Sequence, residues 1–396
     1  MAGEKRRFPT APPDGLIAAI LLSFLATAGL FYVNIMAALV SGLIDGLHFT
    51  ERQAGFVASA NVYGAAFGAL ISIFFVKRIA WRRVALLLLC ALIAADLLSI
   101  FVTGPQTLIA MRFAHGTIGG MLVGTAFSVI ARTRVPDRTF GMLLAVQFGL
   151  GGVGVMVLPR LVPLFGTPVL FVALALFSLV TLAMLPFLAD YPARVKAEGQ
   201  APDAPIRWLP LFFALASVIL FQAGNMALAA YMIELGRGYG LYTDFISTTL
   251  GIAAWIGALG SLLVVYLGTR YGRFWPLLIA MVLTVAGNAL FHLSASPAIY
   301  SGANIATSIT WAFVISYLLG MSAAFDPSGQ TAAMGGFVSK LGLATGPLIG
   351  GFLIDHGNYD VLINVSVVVL AASALAALYP AALLDREPTV AIPKRS

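Results

Sequence analysis

YPARVKAEGQAPDAPI, residues Tyr191 to Ile206, stands at the midpoint of the 396-residue chain. It carries Arg194, Lys196, Glu198 and Asp203, directly follows Asp190, and contains Pro192, Pro202 and Pro205 without any apolar period. A segment of that kind cannot bury itself and reads as a solvated linker. On both sides the sequence is almost continuous hydrocarbon broken by short turns. The linker (191–206) therefore predicts two membrane-embedded halves, 1–190 and 207–396.

Composition points the same way. Hydrophobic residues make up 60% of the chain and charged residues 10%, against about 25% charged in soluble domains. The single cysteine, Cys90, lies in an apolar run, which excludes a disulfide framework and a thiolate metal site. The net charge of +7 sits in short loops between apolar runs, a topological pattern rather than a nucleic-acid surface. Lys5, Arg6 and Arg7 precede an apolar run from Leu16 to about Leu43. That run is too long for a signal-peptide core and is read as a retained first span.

A hydrocarbon core of about 30 Å takes about 20 helical residues per crossing. That window predicts twelve spans. In the first half they are 16–44, 53–76, 84–103, 106–131, 139–163 and 167–189. In the second they are 208–234, 246–268, 275–294, 298–324, 331–354 and 359–384. Runs this long without alternation are helices, so the fold class is an all-α polytopic membrane protein. Of the 23 Lys and Arg residues, eighteen fall on the side of the termini, three (Arg52, Arg160, Arg237) on the other, and two (Arg112, Lys340) inside spans. The asymmetry predicts cytoplasmic termini and a cytoplasmic linker.

The halves echo each other. Phe49-Thr50 with Gly64 recurs as Tyr242-Thr243 with Gly257, at an offset of 193. The loop KRIAWRR (77–83) recurs as TRYGR (269–273). Gln147-Phe-Gly-Leu150 recurs as Lys340-Leu-Gly-Leu343. A duplicated six-helix unit is a plan of secondary transporters, whose site lies between the repeats at mid-membrane.

Three pieces of the chain resemble the major facilitator superfamily. The loop KRIAWRR is similar to that family's basic signature, with Lys77 in place of an aspartate and Ala80 in place of a glycine. Arg112-Phe-Ala-His115-Gly116-Thr-Ile-Gly119-Gly120 resembles its arginine-bearing fourth helix. Gly342-Leu-Ala-Thr-Gly346-Pro347-Leu-Ile-Gly350-Gly351 resembles its glycine-proline eleventh helix. The resemblance implies twelve helices in two pseudo-symmetric bundles, with Arg112 facing a central cavity. Helix five lacks the Gly-Pro pair usual in the family's drug antiporters.

Ionisable groups within a membrane span are costly and mark function by default. Asp96 and Arg112 flank the turn at Gly104-Pro105 at nearly equal depth, about 11–13 Å from the surface by helical rise. They are read either as a buried ion pair locking the hairpin or as a carboxylate-gripping arginine tuned by Asp96. Lys340 falls near the midplane with no acid within one helical turn and is assigned to substrate or proton handling. Glu234 with Arg237 reads as an interfacial i,i+3 pair. Asp45 also reads as interfacial, and Asp326 as a turn and cap residue. Tyr32, Asn34, His115, Gln222, Asn225, Trp311 and Tyr317 are the remaining candidates for the substrate site. Asp96, His115 and Lys340 are the candidate proton carriers. The basic loops with Lys77, Arg78, Arg82, Arg83, Arg270 and Arg273 are expected to gate the cytoplasmic mouth. The ladders Gly64/Gly68, Gly116/Gly120/Gly124 and Gly342/Gly346/Gly350, with Pro347, read as close helix packing and as faces on which the halves slide.

No nucleotide-binding, zinc-protease or serine-hydrolase motif is present, and GLGGVG (149–154) lies inside a span. The sequence reads as an alternating-access secondary transporter, not an enzyme, with no cofactor and with an ion gradient, of protons, as its drive. Its substrate is read as a small organic anion, a carboxylate, because buried cations outnumber deep acids. Proton-driven efflux of lipophilic drugs is the alternative. The protein is expected to work as a monomer in a bacterial inner membrane, with lipid and a small molecule as partners and no nucleic acid.

Overall fold

A computed structural model describes residues 10–75, 80–134, 136–191, 206–268, 270–325, 330–354 and 358–386. Lys77, Arg78, Asp326 and nearly all of the linker lie outside the described residues. The described chain is helical: α1 (Leu16–Ala28), α2 (Phe31–Asn34), α3 (Met36–Leu47), α4 (Glu51–Phe75), α5 (Trp81–Ser99), α6 (Pro105–Ile130), α7 (Pro136–Phe165) and α8 (Pro168–Met184) come first. Then follow α9 (Trp208–Ala229), α10 (Met232–Gly238), α11 (Thr243–Leu267), α12 (Phe274–Ala289), α13 (Pro297–Ala324), α14 (Gln330–Leu353) and α15 (Asp360–Arg386). Among the described residues, ten helices are long and apolar enough to cross a membrane. The third span, α5, carries Arg82, Arg83 and Asp96 and is less apolar. The first is assembled from α1–α3.

That first span corrects the expectation of one continuous helix over 16–44. It breaks after Ala28 and again at Ile35, whose φ of −112° and ψ of 20° leave the helical region. The seventh span breaks in the same way between α9 and α10, at Tyr231 with φ −114° and ψ 18°. Neither break holds a proline. Packing against other spans causes them: Tyr231 is fully buried, and its hydroxyl sits 2.8 Å from Pro347 O and 2.9 Å from Glu51 O.

Helix packing repeats with the sequence. The second span packs on the fourth as the eighth does on the tenth, and the third on the sixth as the ninth does on the twelfth. The first packs on the fifth as the seventh does on the eleventh. The two sets of six meet where α4 lies on α14 and α7 on α11, again a symmetric pair. The glycine ladders, expected on the sliding faces, lie inside each set instead. A Cβ on Gly64, Gly68, Gly116 or Gly120 would collide with the backbone of the partner helix in the α4–α6 pair, and one on Gly124 with the Ser72 side chain. Gly342, Gly346 and Gly350 abut Gln222, Met226 and Tyr231 of the seventh span. Such contacts weld each bundle, because only a hydrogen lets the backbones come this close.

Between described residues, the hydrogen bonds and ion pairs that join the two sets lie at mid-depth or at the face opposite the chain ends. Arg237 grips Asp45 through two contacts of 2.8 and 3.0 Å. Arg160 pairs with Asp244 at 2.9 Å, and Arg52 stacks 4.1 Å above the Phe352 ring. On the other face, contacts between described residues tie elements of the same half together. Arg82 donates to Leu188 O and Ala189 O and pairs with Asp190 at 3.4 Å, tying the third span to the end of the sixth. The Asp385 carboxylate accepts from the Arg273 and Phe274 N–H groups at 2.8–2.9 Å, holding α12 to α15. Gly272, at φ 69°, makes the turn that brings the backbone onto that carboxylate.

The weld predicts that Gly116→Ala lowers stability by about 1–3 kcal/mol through overpacking. Gly141→Ala, whose Cβ would meet open space, should leave the thermal midpoint of the purified protein unchanged or slightly raised. Equal midpoints for the two variants would contradict the weld.

Candidate functional site

A cavity of about 320 Å³ lies between the two sets of six spans. Its wall is mainly apolar, with contributions from Leu30, Val62, Leu250 and Phe291. Into it come Asn34 of the first span, Gln147 and Phe148 of the fifth, Asn225 of the seventh, Asn288 of the ninth, Asn304 and Trp311 of the tenth, and Lys340 of the eleventh. Asn34, Gln147, Phe148, Asn225, Trp311 and Lys340 fall in the middle thirds of their spans, while Asn288 and Asn304 lie nearer the ends on the face opposite the chain ends, so the cavity reaches from mid-depth toward that face.

Lys340 is its one charged lining residue. Among the described residues it has neither a carboxylate nor a hydrogen-bond acceptor, and its side chain is half-buried against the cavity. A neighbouring chain of bonds fixes its surroundings. The Trp311 indole N–H donates to Gln222 Oε1 at 2.8 Å, and Gln222 Nε2 donates at 2.8 Å to the hydroxyl of Ser339, the residue before Lys340. Phe148 approaches Trp311 from the other half, ring centres 6.2 Å apart and nearly perpendicular. Both rings line the cavity wall.

Three amides around the cavity share one orientation. Asn225, Asn288 and Asn304 each donate Nδ2–H to the carbonyl four residues earlier, at 2.9, 2.8 and 2.9 Å. Since that partner is an acceptor, the amide nitrogen must face it, leaving each Oδ1 for the cavity. The wall thus offers an ammonium donor and several acceptor oxygens. Asn34 Nδ2 is buried without a partner.

The sequence candidates divide between this cavity and a second cluster. Asn34, Asn225, Trp311 and Lys340 line the cavity, and Gln222 braces it. No residue of the fourth span lines it. Arg112 is fully buried beside it, donating Nη1–H to Asp96 Oδ1 at 2.8 Å and Nη2–H to Ala95 O at 3.2 Å and to Ser99 Oγ. Its guanidinium lies 5.0 Å from the Phe171 ring centre. His115 Nε2 is 3.2–3.3 Å from both Asp96 oxygens, while its Nδ1 accepts from Asn61 Nδ2 at 2.8 Å. The Asn61 donation places the ring proton of a neutral His115 on Nε2, facing Asp96. Tyr32 is buried with its ring 6.2 Å from that of His115. Tyr317 is elsewhere: its hydroxyl donates to Gly268 O at 2.6 Å, at the end of the eighth span. Gln147, Asn288 and Asn304 were not among the sequence candidates. Gln147 could have been found, because it occupies the repeat position of Lys340.

The Asp96–Arg112 pair is dry, and removing one partner of such a pair costs about 3–5 kcal/mol. Arg112→Met should lose stability on that scale, and the double variant Arg112→Met, Asp96→Leu should recover much of it. A double variant as unstable as the single one would contradict the pairing.

Comparison with known proteins agrees with this architecture. The sequence model of the Major Facilitator Superfamily matches residues 19–339. The crystal structure of the nucleoside transporter NupG superposes with a TM-score of 0.69 at 16% identity, over 92% of this chain and 98% of that one. A bacterial homolog of the human lysosomal transporter Spinster, in an inward-facing and unoccupied conformation, gives 0.66 at 13% identity, over 94% and 97%. A gallate transporter of Pseudomonas putida is 26% identical over 183 residues, 44% of this chain and 40% of that protein. With the match spanning most of its length and the fold shared, the chain belongs to the Major Facilitator Superfamily and is an integral, multi-pass membrane transporter rather than an enzyme.

Proposed function

We propose that this transporter carries a small organic carboxylate by alternating access, coupled to protons. The observation that carries this reading is Lys340, an ammonium with no counter-charge among the described residues, in a mid-depth cavity. A charge left there demands a partner, and a substrate anion supplies one. Asn225, Asn288 and Asn304 present acceptor oxygens suited to hydroxyl groups on the same substrate, and Phe148 and Trp311 offer ring faces. The gallate transporter supports this chemistry, since gallate joins a carboxylate to an aromatic ring bearing hydroxyls.

In this proposal the termini are cytoplasmic, and the structure is the state closed toward the outside. Lys340 holds the anion from the second half. Arg112 remains with Asp96 in this state and reaches the substrate only if Asp96 releases it, so Asp96 and His115, with Lys340, are the proposed proton carriers. Arg82, Arg83, Arg270 and Arg273 line the mouth on the cytoplasmic face. Efflux of lipophilic cations fits less well, because Lys340 would repel them from the cavity.

Counterflow of labelled hydroxybenzoates into proteoliposomes tests the reading. Wild type should take them up, and Lys340→Ala should lose at least tenfold of the rate. Absent carboxylate uptake, with a lipophilic cation carried equally by both proteins, would overturn it.

A further inference from the structure

At the face opposite the chain ends, the seventh span finishes in α10, and Glu234 in its first turn is only 7% exposed. Neither of its carboxylate oxygens has a hydrogen-bond donor in bonding geometry. Arg237, one turn on, forms the expected i,i+3 ion pair with it only at the long distance of 3.9 Å. Arg237 instead gives its guanidinium to Asp45 of α3, across the interface between the halves. The Ser41 hydroxyl on α3 lies beside Glu234 as a neutral donor, outside bonding geometry in this state. Among the described residues, the charged and titratable groups around Glu234 are Arg237, Asp45, Tyr231, Tyr300 and Tyr359, with Glu51 behind Tyr231 and Tyr359, and Arg237 is the one cation among these.

One guanidinium therefore has two carboxylates within reach of it, and they differ in what they can do without it. The Asp45 side chain is about one-third exposed and water can solvate it; the Glu234 side chain is not. A carboxylate enclosed without donors is accommodated as the neutral acid, and its charged form needs the cation. We propose that Glu234 is a proton-binding site whose occupancy decides which carboxylate Arg237 holds, and thereby whether this face of the transporter is closed. When a proton from the aqueous phase forms an O–H bond on Glu234, Arg237 turns to Asp45 and ties the halves together. When Glu234 loses that proton, Arg237 turns back to it within α10, and Asp45 is left to water as the face opens. Arg237 is paired in both states; loss of the proton leaves the trio with one net negative charge, carried by the water-exposed Asp45. The inference rests on the proton-coupled reading above but adds a site to it and does not depend on which substrate is carried.

A distance measurement tests it without any substrate. Spin labels at Leu164 and Tyr242, which are 74% and 84% exposed at the ends of α7 and α11, report the separation of the halves at this face. The full chain carries Cys90→Ser for the purpose and is reconstituted in nanodiscs. Acid should shift the wild-type population to the short distance. Glu234→Gln should hold the short distance at every pH, and Asp45→Asn should populate the long distance even in acid. A wild-type distance insensitive to pH, or an unchanged pH response in Glu234→Gln, would overturn the proposal. Failure of carboxylate uptake would overturn the substrate reading and leave this one standing.

Discussion

An ammonium group at mid-depth in a membrane protein, with no carboxylate beside it, is the constraint around which this structure is arranged. An ionisable residue there costs about 2.5–3.5 kcal/mol even on the more lenient insertion scale. Arg112 is paired with Asp96 in a dry hairpin, and Arg237 with Asp45 at the interface between the halves. Among the described residues, Lys340 is the one charged side chain that lines the cavity. The asymmetry separates the charges that hold the fold together from the one that awaits something else.

Two kinds of contact then divide the mechanical work. Within each set of six spans, glycine ladders bring backbones into direct touch, so each set moves as a body. Between the sets, close backbone approaches at Gly152 and Gly251 and at Gly55 and Pro347 are joined by side chains that can be exchanged: ion pairs, a cation over a ring, and the Tyr231 hydroxyl lodged between two backbone carbonyls. The helix breaks at Ile35 and Tyr231 stand at the junction of these regimes, where the first and seventh spans pass from the cavity to the closed face. Interfaces of this sort have discrete arrangements rather than a continuous range. A cavity reached alternately from two sides needs that property.

Much of this was legible in the sequence because the bilayer imposes it. Long apolar runs mark twelve spans and the recurrence at an offset of 193 marks their duplication, and the isolation of Lys340 from acids is visible in the neighbouring residues. The repeat also relates Lys340 to Gln147, a signal that points to the fifth span as part of the cavity wall. What the sequence did not reveal depends on contacts between distant segments. The breaks in the first and seventh spans come from packing and not from proline. Arg237 chooses Asp45, 192 residues away, over its helical neighbour Glu234. The glycine ladders look alike in sequence whether they face inward or across the interface, and only the three-dimensional packing assigns them to the bundle interiors. Arg112 and His115 share a helix that the cavity never touches in this state.

The most direct test of the central claim is a structure of the protein solved with a saturating hydroxybenzoate. The account predicts ligand density in the cavity with its carboxylate within ion-pair distance of the Lys340 ammonium, and its hydroxyls toward Asn225, Asn288 and Asn304. A ligand bound elsewhere, or a Lys340 already paired with a protein carboxylate in the loaded state, would contradict it.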